Sequence, residues 1–550
     1  MPRLNQQNLL TINIEDYFQV GPLSSAIPQR FWQRFEKRVE RNTLAALDLL
    51  DEFDHKAVFF TVGWLADQAP DLLREVVRRG HSVGSKGFFH RPLSQMSLSE
   101  FRSDAVRSRR ALEKACGDAV VGYRVARGWF GEKDLWALDV LAQEGFQYDS
   151  SLLPLGLFSA NPELRGVHQQ TGPNGTIWEL PISSWKLGPL ALPISGGNYV
   201  RQLPDAFTES EIDRWTKRSE HPLVFYFHVW ELDPDQPRIS GVSRLEWLRQ
   251  YRNLDEMPSR IRKYLSKYEF TSPERYLDLA PEKLAALEEP SVPVALSVVK
   301  AEGRPATIVV PCYNEEATLK YLSNTLDRFV AATDGQFKFS FVFVDDGSQD
   351  NTFKILQSMF ADRAECKVVQ HDRNRGVAAA TLTGIRNADT DIACVLDADC
   401  SYDPATLLKM IPMLSCGVDL VTASPYHKQG EVLNVPRWRV FLSRGVSILY
   451  GTMLTNKIAT YTACVRVYRK ASVVNLKIEN EGYFGITEIL VRLDQAGARI
   501  VECPAVLESR VLGFSKMKVV RTIWGHLGLL SRLFGDKFSG QFRSKHGVVT

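Results

Sequence analysis

At 550 residues the chain is too long for a single hydrophobic core, so two or more domains are expected. Its composition, 44% hydrophobic and 24% charged, is that of an ordinary globular protein, and a net charge of +3 identifies no class of partner. No apolar run approaches the roughly 18 residues of a membrane-spanning helix, and the first eight residues lack the apolar core of a signal peptide.

The eight cysteines are typical of reduced thiols. None stands in a Cys-x-x-Cys pair, and seven of the eight lie beyond residue 300. Such thiols are expected in a reducing compartment, so we predict that the protein works on the cytoplasmic side of the membrane.

Strands and helices alternate in the first half. Residues 9–18 are predicted to form a strand that ends in acidic residues, and buried strands are predicted at 57–61 and 224–227. Amphipathic helices over 41–53 and 98–115 lie between them. This alternation predicts a parallel sheet or a β/α barrel.

Seven short motifs follow one another in this half: IEDYF at 14–18, GH at 80–81, FH at 89–90, GYR at 122–124, YDSS at 148–151, SGG at 195–197 and FHVWE at 227–231. Together they make residues 9 to about 280 similar to the polysaccharide deacetylases of NodB type, in the branch found at exopolysaccharide loci. The resemblance implies a distorted (β/α) barrel. It also implies a divalent metal held by an Asp and two His, with a preceding Asp as general base.

The chain departs from that pattern at the positions that would carry catalysis and metal binding. The base position is Asn13, and an amide cannot take a proton from water near neutral pH. The first histidine position is Lys86, whose ammonium has no lone pair for a metal. The third motif keeps Arg124 but continues as Val-Ala instead of Ala-Pro.

Asp16, His90 and His228 remain where metal or acid chemistry would need them. One interpretation is a pseudoenzyme that binds sugar or acts as a scaffold, with both histidines hydrogen-bonded near the core. In the other, Glu15 replaces the base and His81 completes a shifted metal site. We predict the pseudoenzyme, because an active site would need replacements for both the missing base and the missing histidine. We therefore do not expect Zn²⁺ or another divalent ion in the barrel.

Proline residues 290, 293 and 305 then mark a linker. Beyond it, buried strands are predicted at 307–311, 341–346, 368–370 and 392–396, with helices over 316–332 and 351–361. This order predicts a doubly wound nucleotide-binding sheet.

Asp397 and Asp399 end the last of these strands. Residues i and i+2 of a strand project to the same side, so the two carboxylates are expected to face the crevice where α/β sheets bind ligands. Paired carboxylates suit Mg²⁺ or Mn²⁺, which takes further ligands from substrate phosphates.

Four ordered motifs, PCYNE at 311–315, DDGS at 345–348, NRG at 374–376 and DAD at 397–399, resemble glycosyltransferase family 2, of GT-A fold. The resemblance implies that Asp397 and Asp399 hold the catalytic metal. It also implies a nucleotide-sugar site formed by Pro311, Tyr313, Glu315, Asp345, Asp346 and Gly376. The two Asp of DDGS are also suited to cap a turn.

The acceptor is indicated by later motifs: VTASPY at 421–426, WR at 438–439, YTACVRVYR at 461–469 and RVLGFSK at 510–516. They resemble the dolichyl- and polyprenyl-phosphate sugar synthases, which implies an acceptor-phosphate site formed by Arg466, Arg510, Ser515 and Lys516. A phosphate monoester is already an anion at neutral pH and needs no general base. A hydroxyl acceptor would need one, and Glu488 is the candidate.

The C-terminal tail combines charge with an apolar stripe. Eight Lys and Arg residues against one acid give 510–550 a net charge of +7. Apolar residues recur at helical spacing within it, at Val520, Ile523, Trp524, Leu527, Leu530 and Phe534. Such a helix suits the interface of an anionic membrane, as does the patch at 437–444, although packing on the catalytic domain is the alternative. No nucleic-acid motif accompanies the basic residues, so we expect no nucleic-acid partner.

These observations predict a deacetylase-like barrel at 1–281, a linker at 282–305, a glycosyltransferase domain at 306–515 and a basic amphipathic tail at 516–550. The predicted protein is peripheral on the inner face of the membrane and moves a sugar from a nucleotide-sugar to a polyprenyl phosphate in cell-surface polysaccharide assembly. The alternatives are a bifunctional deacetylase and transferase, a transferase that extends a glycan hydroxyl, and a binding or scaffold protein without activity.

Overall fold

The computed structural model describes residues 7–23, 26–153, 163–187, 190–279, 303–333, 335–415, 417–513 and 519–538. They form two compact units, the first mainly from residues up to 279 and the second mainly from residues after 302. Most of the predicted linker, 282–305, lies outside the described residues, as does the end of the predicted tail.

A nine-stranded, largely parallel sheet forms the N-terminal unit, in the order β10-β1-β2-β3-β4-β5-β7-β6 with β11 paired to β1. β6 runs antiparallel to β7 at one edge, and β8 and β9 form a separate hairpin. The strands are β1 (Asn8–Ile14), β2 (Val58–Thr61), β3 (Ser82–Ser85), β4 (Gly122–Tyr123), β5 (Tyr148–Asp149), β6 (His168–Gly172), β7 (Gly175–Glu179), β8 (Ser184–Leu187), β9 (Leu190–Pro193), β10 (Val224–His228) and β11 (Phe270–Thr271).

Helices cover one face of this sheet. Sequence signals determine where they end: Ser97 caps the start of α4 and forms a capping box with Glu100, and Gly117, whose φ is 82°, caps its end. The helices are α1 (Val39–Glu52), α2 (Gly63–Gln68), α3 (Pro70–Arg78), α4 (Leu98–Cys116), α5 (Trp136–Gln143), α6 (Gly197–Gln202), α7 (Asp205–Arg218), α8 (Arg244–Tyr251), α9 (Met257–Lys267) and α10 (Pro273–Tyr276).

Alternate residues of the strands separate two apolar layers. Leu10 and Ile12 of β1 join the core between sheet and helices. Leu9, Phe60 and Tyr226 join a smaller cluster on the opposite, inner face. Side chains of a strand alternate between the two faces of the sheet. Every second residue up to the carboxyl ends of the strands therefore also lies on the inner face.

The C-terminal unit is built on a seven-stranded sheet in the order β14-β13-β12-β15-β18-β16-β19. Its first four strands are parallel, and β18 is antiparallel to both of its neighbours. The strands are β12 (Arg304–Cys312), β13 (Phe337–Asp345), β14 (Cys366–Gln370), β15 (Ile392–Val395), β16 (Leu420–Ser424), β17 (Glu431–Leu433), β18 (Arg466–Arg469), β19 (Ile500–Pro504) and β20 (Val506–Glu508), of which β17 and β20 pair separately.

Helices pack around this sheet, and α13 and α17 contribute many of its core residues, such as Ile385 and Leu490. They are α11 (Leu319–Ala332), α12 (Thr352–Phe360), α13 (Val377–Asn387), α14 (Thr406–Met413), α15 (Arg437–Met453), α16 (Lys470–Val473), α17 (Tyr483–Gln495) and α18 (Val519–Phe538). Within the described ranges, no helix is both long and apolar enough to cross a membrane. The predicted fold class, α/β with a distorted (β/α) barrel in the first half and a GT-A-like doubly wound sheet in the second half, is confirmed.

Candidate functional site

The carboxyl ends of β12, β13 and β15 meet at one edge of the C-terminal sheet. β12 lies between the other two strands and is parallel to both. Cys312 stands opposite Asp345, and Val309 stands opposite Val395, so the polar residues that follow these strands emerge at the same edge. Open α/β sheets bind their ligands in this position.

Asp397 and Asp399 follow β15 in a tight turn. The Cys400 N–H donates to the Asp397 carbonyl at 3.0 Å, and Cys400 has a φ of 51°, which non-glycine residues rarely adopt. Burial, together with the charge of Asp399, raises the pKa of Asp397 to about 7. No described residue donates a hydrogen bond to its carboxylate. Among the described residues, Asp397 is therefore an acidic group without a compensating donor.

Asp399 is held more firmly. Its Oδ1 accepts hydrogen bonds from the backbone N–H and the hydroxyl of Ser401, at 2.9 and 2.6 Å. Its Oδ2 accepts from Arg510 Nε at 2.6 Å. In the described part of the chain, Asp399 of the predicted metal pair is thus paired with an arginine, and Asp397 is not.

The donor set fits a hard divalent ion such as Mg²⁺ or Mn²⁺. Both groups are carboxylates, and the charge of Arg510 acts on Asp397, but the described residues form no ion pair with it. Over the described ranges, no three or more His, Cys, Asp and Glu side chains are grouped as a complete metal site. Asp397 and Asp399 would therefore supply two ligands and leave the remaining positions to phosphate oxygens and water.

Glu315 lies beside this pair at the end of β12. Its Oε1 accepts from Arg510 Nη2 at 2.9 Å, and its Oε2 accepts from the Thr318 hydroxyl at 2.8 Å. Pro311, the residue before Cys312, and Tyr313, the residue after it, are half-buried at the same edge. The predicted nucleoside residues at and just after the end of β12 therefore lie near the acid pair.

The two Asp at the end of β13 have different surroundings. Asp345 is fully buried, and its Oδ1 has no hydrogen-bond partner among the described residues. Asp346 accepts from the backbone N–H groups of Arg375 and Gly376, at 2.9 and 2.7 Å, and contacts His371 Nδ1 at 2.7 Å. Asp346 therefore anchors the loop that carries Gly376, whereas Asp345 keeps an acceptor oxygen that no described residue uses.

His371 is a site residue that the sequence reasoning missed. Its Nε2 lies 3.0 Å from the Thr383 hydroxyl, so the ring bridges α13 and Asp346. The sequence feature that could have identified His371 is its position directly after β14, at the same edge of the sheet as the other motifs. Gly376, with a φ of 113°, is required in the same loop because a Cβ would lie 2.4 Å from the Glu481 carbonyl oxygen.

Arg466 does not lie where the acceptor-phosphate prediction needs it. Its side chain is fully buried, and its guanidinium donates to the carbonyls of Ile486 and Tyr461 at 2.6 and 2.8 Å. It therefore ties β18 to α17, and a phosphate could reach it only if this core opened. Arg510 is the predicted phosphate ligand that lies at the acid pair, while Ser515 and Lys516 lie outside the described residues.

Glu488 is also corrected from catalytic base to structural anchor. Its carboxylate accepts from the backbone N–H groups of Glu479 and Asn480, both at 2.9 Å, and from the Asn480 amide at 3.0 Å. Arg492 Nε donates to it at 2.7 Å, one helical turn further along α17. Burial would raise the pKa of Glu488, but these donors together lower it, so the group is a poor proton acceptor.

We expect Glu488→Gln to lower stability and leave the pH dependence of activity unchanged. The substitution keeps the shape but removes charge-assisted hydrogen bonds, which costs about 1.5–3 kcal/mol. The unfolding midpoint and the pH–rate profile of the full chain measure the two effects separately. Loss of one limb of the pH–rate profile at unaltered stability would restore the catalytic assignment.

At the mouth of the N-terminal unit, Glu15 occupies the centre. Lys86 Nζ donates to its Oε1 in a short hydrogen bond, His90 Nε2 lies 3.2 Å from the same oxygen, and His228 Nδ1 lies 3.1 Å from Oε2. Glu15, Lys86 and His90 are all buried. Burial raises the pKa of Glu15, but Lys86, His90 and His228 more than offset it and hold that pKa well below its usual value. An ammonium thus neutralises the carboxylate at this mouth.

Asp16 and His81 lie elsewhere. The Asp16 carboxylate accepts from the backbone N–H groups of Arg38 and Val39 at the start of α1, at 2.9 and 3.2 Å, so it acts as a helix cap. His81 precedes β3 at the opposite end of the strands, where its Nδ1 accepts from the Ala57 N–H at 3.3 Å. The prediction that Asp16 shares a site with the two histidines is wrong, and His81 cannot complete a shifted one.

Arg124 and Asn13 form a layer below Glu15. Arg124 is buried and donates to the carbonyl and the hydroxyl of Ser150, at 3.0 and 2.7 Å. Its Nη1 lies 3.5 Å from Asn13 Oδ1, and its guanidinium stacks on Phe60 and Tyr226. The residue at the base position therefore accepts from an arginine rather than facing water.

Models of three protein families match the chain. The polysaccharide deacetylase family matches residues 27–148, a domain of unknown function (DUF3473) matches 150–278, and glycosyl transferase family 2 matches 307–476. A structure from Mycobacterium smegmatis, assigned to the polysaccharide deacetylases, is similar at 19% identity with a TM-score of 0.36, over 52% of this chain and 98% of that one.

Two curated relatives resemble part of the chain. A dolichol-phosphate mannosyltransferase of Pyrococcus furiosus is 29% identical over 238 residues, which are 43% of this chain and 64% of the relative. A polyprenol monophosphomannose synthase of Mycolicibacterium smegmatis is 27% identical over 245 residues, 42% of this chain and 89% of the relative. The chain thus carries a polysaccharide deacetylase domain in its first half and a glycosyltransferase family 2 domain in its second half.

Proposed function

We propose that the C-terminal domain transfers a sugar from a nucleotide-sugar donor to a polyprenyl phosphate during assembly of a cell-surface polysaccharide. The observation that carries this proposal is the placement of Asp397 and Asp399 beside Glu315 at the carboxyl edge of the parallel strands. The names of both curated relatives, which specify dolichol phosphate and polyprenol monophosphate, support the acceptor class.

In this proposal Asp397 and Asp399 hold Mg²⁺ or Mn²⁺ against the donor's diphosphate. A bound divalent ion would neutralise the charge that develops on the departing nucleoside diphosphate. Glu315 and the unpartnered Oδ1 of Asp345 would accept hydrogen bonds from the nucleoside, with Pro311 and Tyr313 beside them. Asp346 and Gly376 would keep the neighbouring loop in shape for the donor.

A phosphate acceptor needs no general base, and Glu488 is not free to act as one. A phosphate monoester is ionised at neutral pH and attacks without giving up a proton, whereas a hydroxyl needs a base. With Glu488 engaged by four donors, extension of a glycan hydroxyl is the less supported alternative.

The test is transfer of label from a panel of nucleotide-sugars to a polyprenyl phosphate by the purified full chain, followed by lipid extraction. We expect labelled lipid with one donor, loss of the reaction on chelation, and recovery with Mg²⁺ or Mn²⁺. Label in glycan but not in lipid would favour the hydroxyl acceptor. No transfer and no donor hydrolysis across the panel would support a binding or scaffold protein.

We also propose that α15 and α18 lie on an anionic membrane on the cytoplasmic side. The helices pack together, with Tyr450 Oη 3.2 Å from His526 Nδ1. Seven large apolar side chains are exposed on them, namely Trp438, Phe441, Ile448, Leu449, Trp524, Leu527 and Phe534. Arg437 and Arg444 lie exposed among these residues, and apolar side chains with interspersed arginines suit an anionic interface.

We expect Phe441→Glu and Trp524→Glu each to weaken binding to vesicles that contain anionic lipid by about tenfold or more. Phe441 is 78% exposed and Trp524 is 70% exposed, so neither supports the core, and burying one such side chain in the interface is worth about 1.5–3 kcal/mol. Vesicle sedimentation measures the effect. Val330→Glu, a substitution at an exposed apolar residue of α11, is the control, and equal weakening by it would contradict this assignment.

For the N-terminal domain we propose a deacetylase-like fold without deacetylase chemistry, which binds glycan or supports its neighbour. Lys86 on Glu15 and Arg124 beside Asn13 support this interpretation. The bifunctional alternative predicts release of acetate from acetylated sugar by the full chain. An Asn13→Asp, Lys86→His variant serves as the gain-of-function control. Stoichiometric zinc in the unaltered protein would favour the alternative.

A further inference from the structure

One arginine spans two acidic groups to which the proposed function gives different tasks. Arg510 donates through Nε to Asp399 Oδ2 at 2.6 Å and through Nη2 to Glu315 Oε1 at 2.9 Å. Its side chain is 21% exposed, and those of Asp399 and Glu315 are 12% and 7% exposed. Burial lowers the pKa of Arg510, but the two carboxylates more than offset it, so the group stays charged.

This bridge and a metal–donor complex need the same atoms. Asp399 Oδ1 is already engaged by Ser401, so Oδ2 is the oxygen that faces a neighbouring cation, and Arg510 occupies it. A divalent ion on that oxygen would stand within a few ångströms of the guanidinium, and like charges at such a distance repel strongly away from bulk water. A nucleoside on Glu315 would in turn compete for Oε1.

The surrounding charges explain why the arginine sits there. Glu315, Asp397 and Asp399 lie close together at one edge of the sheet, and Arg510 contacts two of them, so their negative charges repel one another unless a cation lies between them. Removing Arg510 without replacing it would take an ion-pair partner from both Asp399 and Glu315. Exchange of one cation for another avoids that cost, because a divalent ion neutralises the same group.

Resting on the proposed function, we propose that Arg510 is the internal counter-ion of the empty donor site and is displaced when metal and donor bind. The displaced guanidinium then becomes a ligand for the acceptor phosphate, as a charge-assisted donor. Binding is consequently ordered. The acceptor phosphate gains its arginine only after a metal has taken over Asp399.

Direct titration of the full chain with Mn²⁺, without any donor, tests the exchange by the electron paramagnetic resonance of the free ion. We expect Arg510→Gln to bind Mn²⁺ at least fivefold more tightly than the unaltered protein, because the competing cation is gone. Arg363→Gln, which removes a partly exposed arginine paired with Asp327 at 2.8 Å, is the matched control and should bind as the unaltered protein does. Melting curves verify that each variant is folded.

A second measurement follows the released arginine. Affinity for a water-soluble isoprenyl phosphate should rise at least fivefold when Mn²⁺ is added to the unaltered protein, and it should not rise in Arg510→Gln. Mn²⁺ binding that depends on Asp399 but is equally tight in Arg510→Gln would overturn the inference and leave the proposed function standing. Failure of Asp397→Asn and Asp399→Asn to alter Mn²⁺ binding would overturn the proposed metal site itself.

Discussion

Asp397→Asn is expected to lower glycosyl transfer by about two to three orders of magnitude while the chain stays folded, the usual cost of losing one preorganised electrostatic contact in a transition state. The amide keeps the shape of the side chain but is a much weaker ligand for a hard cation. Burial and Asp399 already raise the pKa of Asp397 to about 7, so ionising it opposes folding. We therefore expect the melting temperature to be unchanged or slightly higher.

The control for this prediction is Asp391→Asn. Asp391 is exposed and precedes β15, so it undergoes the same chemical change at the opposite end of the same strand. Its activity and melting temperature should match those of the unaltered protein. Transfer to lipid, measured at saturating Mg²⁺ and Mn²⁺, gives the activity. Retention of more than a tenth of the activity in Asp397→Asn would remove the acid pair from the mechanism.

Lys86→Met is expected to destabilise the N-terminal domain by about 3–5 kcal/mol, the typical cost of leaving one partner of a buried ion pair uncompensated. Lys86 and Glu15 are each about 2% exposed, so water cannot replace the lost ammonium. Denaturant titration of the full chain, followed by tryptophan fluorescence, measures the change. Lys133→Met, at an exposed lysine, should have no effect.

A second substitution separates the ion pair from simple packing. Adding Glu15→Gln to Lys86→Met removes the orphaned charge, so the double variant should recover most of the lost stability. The stability of the unaltered protein should also depend on pH, because the pKa of Glu15 in the folded protein is lowered from its ordinary 4.5. Its contribution is complete above the unfolded pKa and is lost as the pH falls through the folded one. Equal instability of the single and double variants would refute the counter-ion role of Lys86.

The strands that carry the sites could be predicted because their apolar runs end abruptly in polar residues. β15 ends one residue before Leu396, and the motif acids begin at Asp397, as the sequence indicates. β1, in contrast, stops at Ile14 rather than continuing to 18, and the acids after it turn in different directions. Alternation along a strand places Asn13 and Glu15 on the same face, but it does not indicate that Asp16 caps a helix more than twenty residues later.

The site residues that were assigned incorrectly depend on contacts that a local pattern does not contain. The burial of Arg466 follows from the packing of α17 over β18, which no motif in 461–469 encodes. Part of the correction for Glu488 could have been predicted, since Arg492 lies four residues along the same helix. The backbone donors of Glu479 and Asn480 could not, because they depend on how the chain enters that helix.

The Lys86–Glu15 pair gives the N-terminal domain a cation that is covalently attached. A metal ion bound at such a mouth can be lost by dilution or chelation, and its stabilising effect then depends on its free concentration. Lys86 is part of the polypeptide chain, so it is present beside Glu15 in every molecule, whatever the concentration of metal ions. The folding of the N-terminal domain should therefore not depend on metal ions, even when their removal abolishes glycosyl transfer by the C-terminal domain.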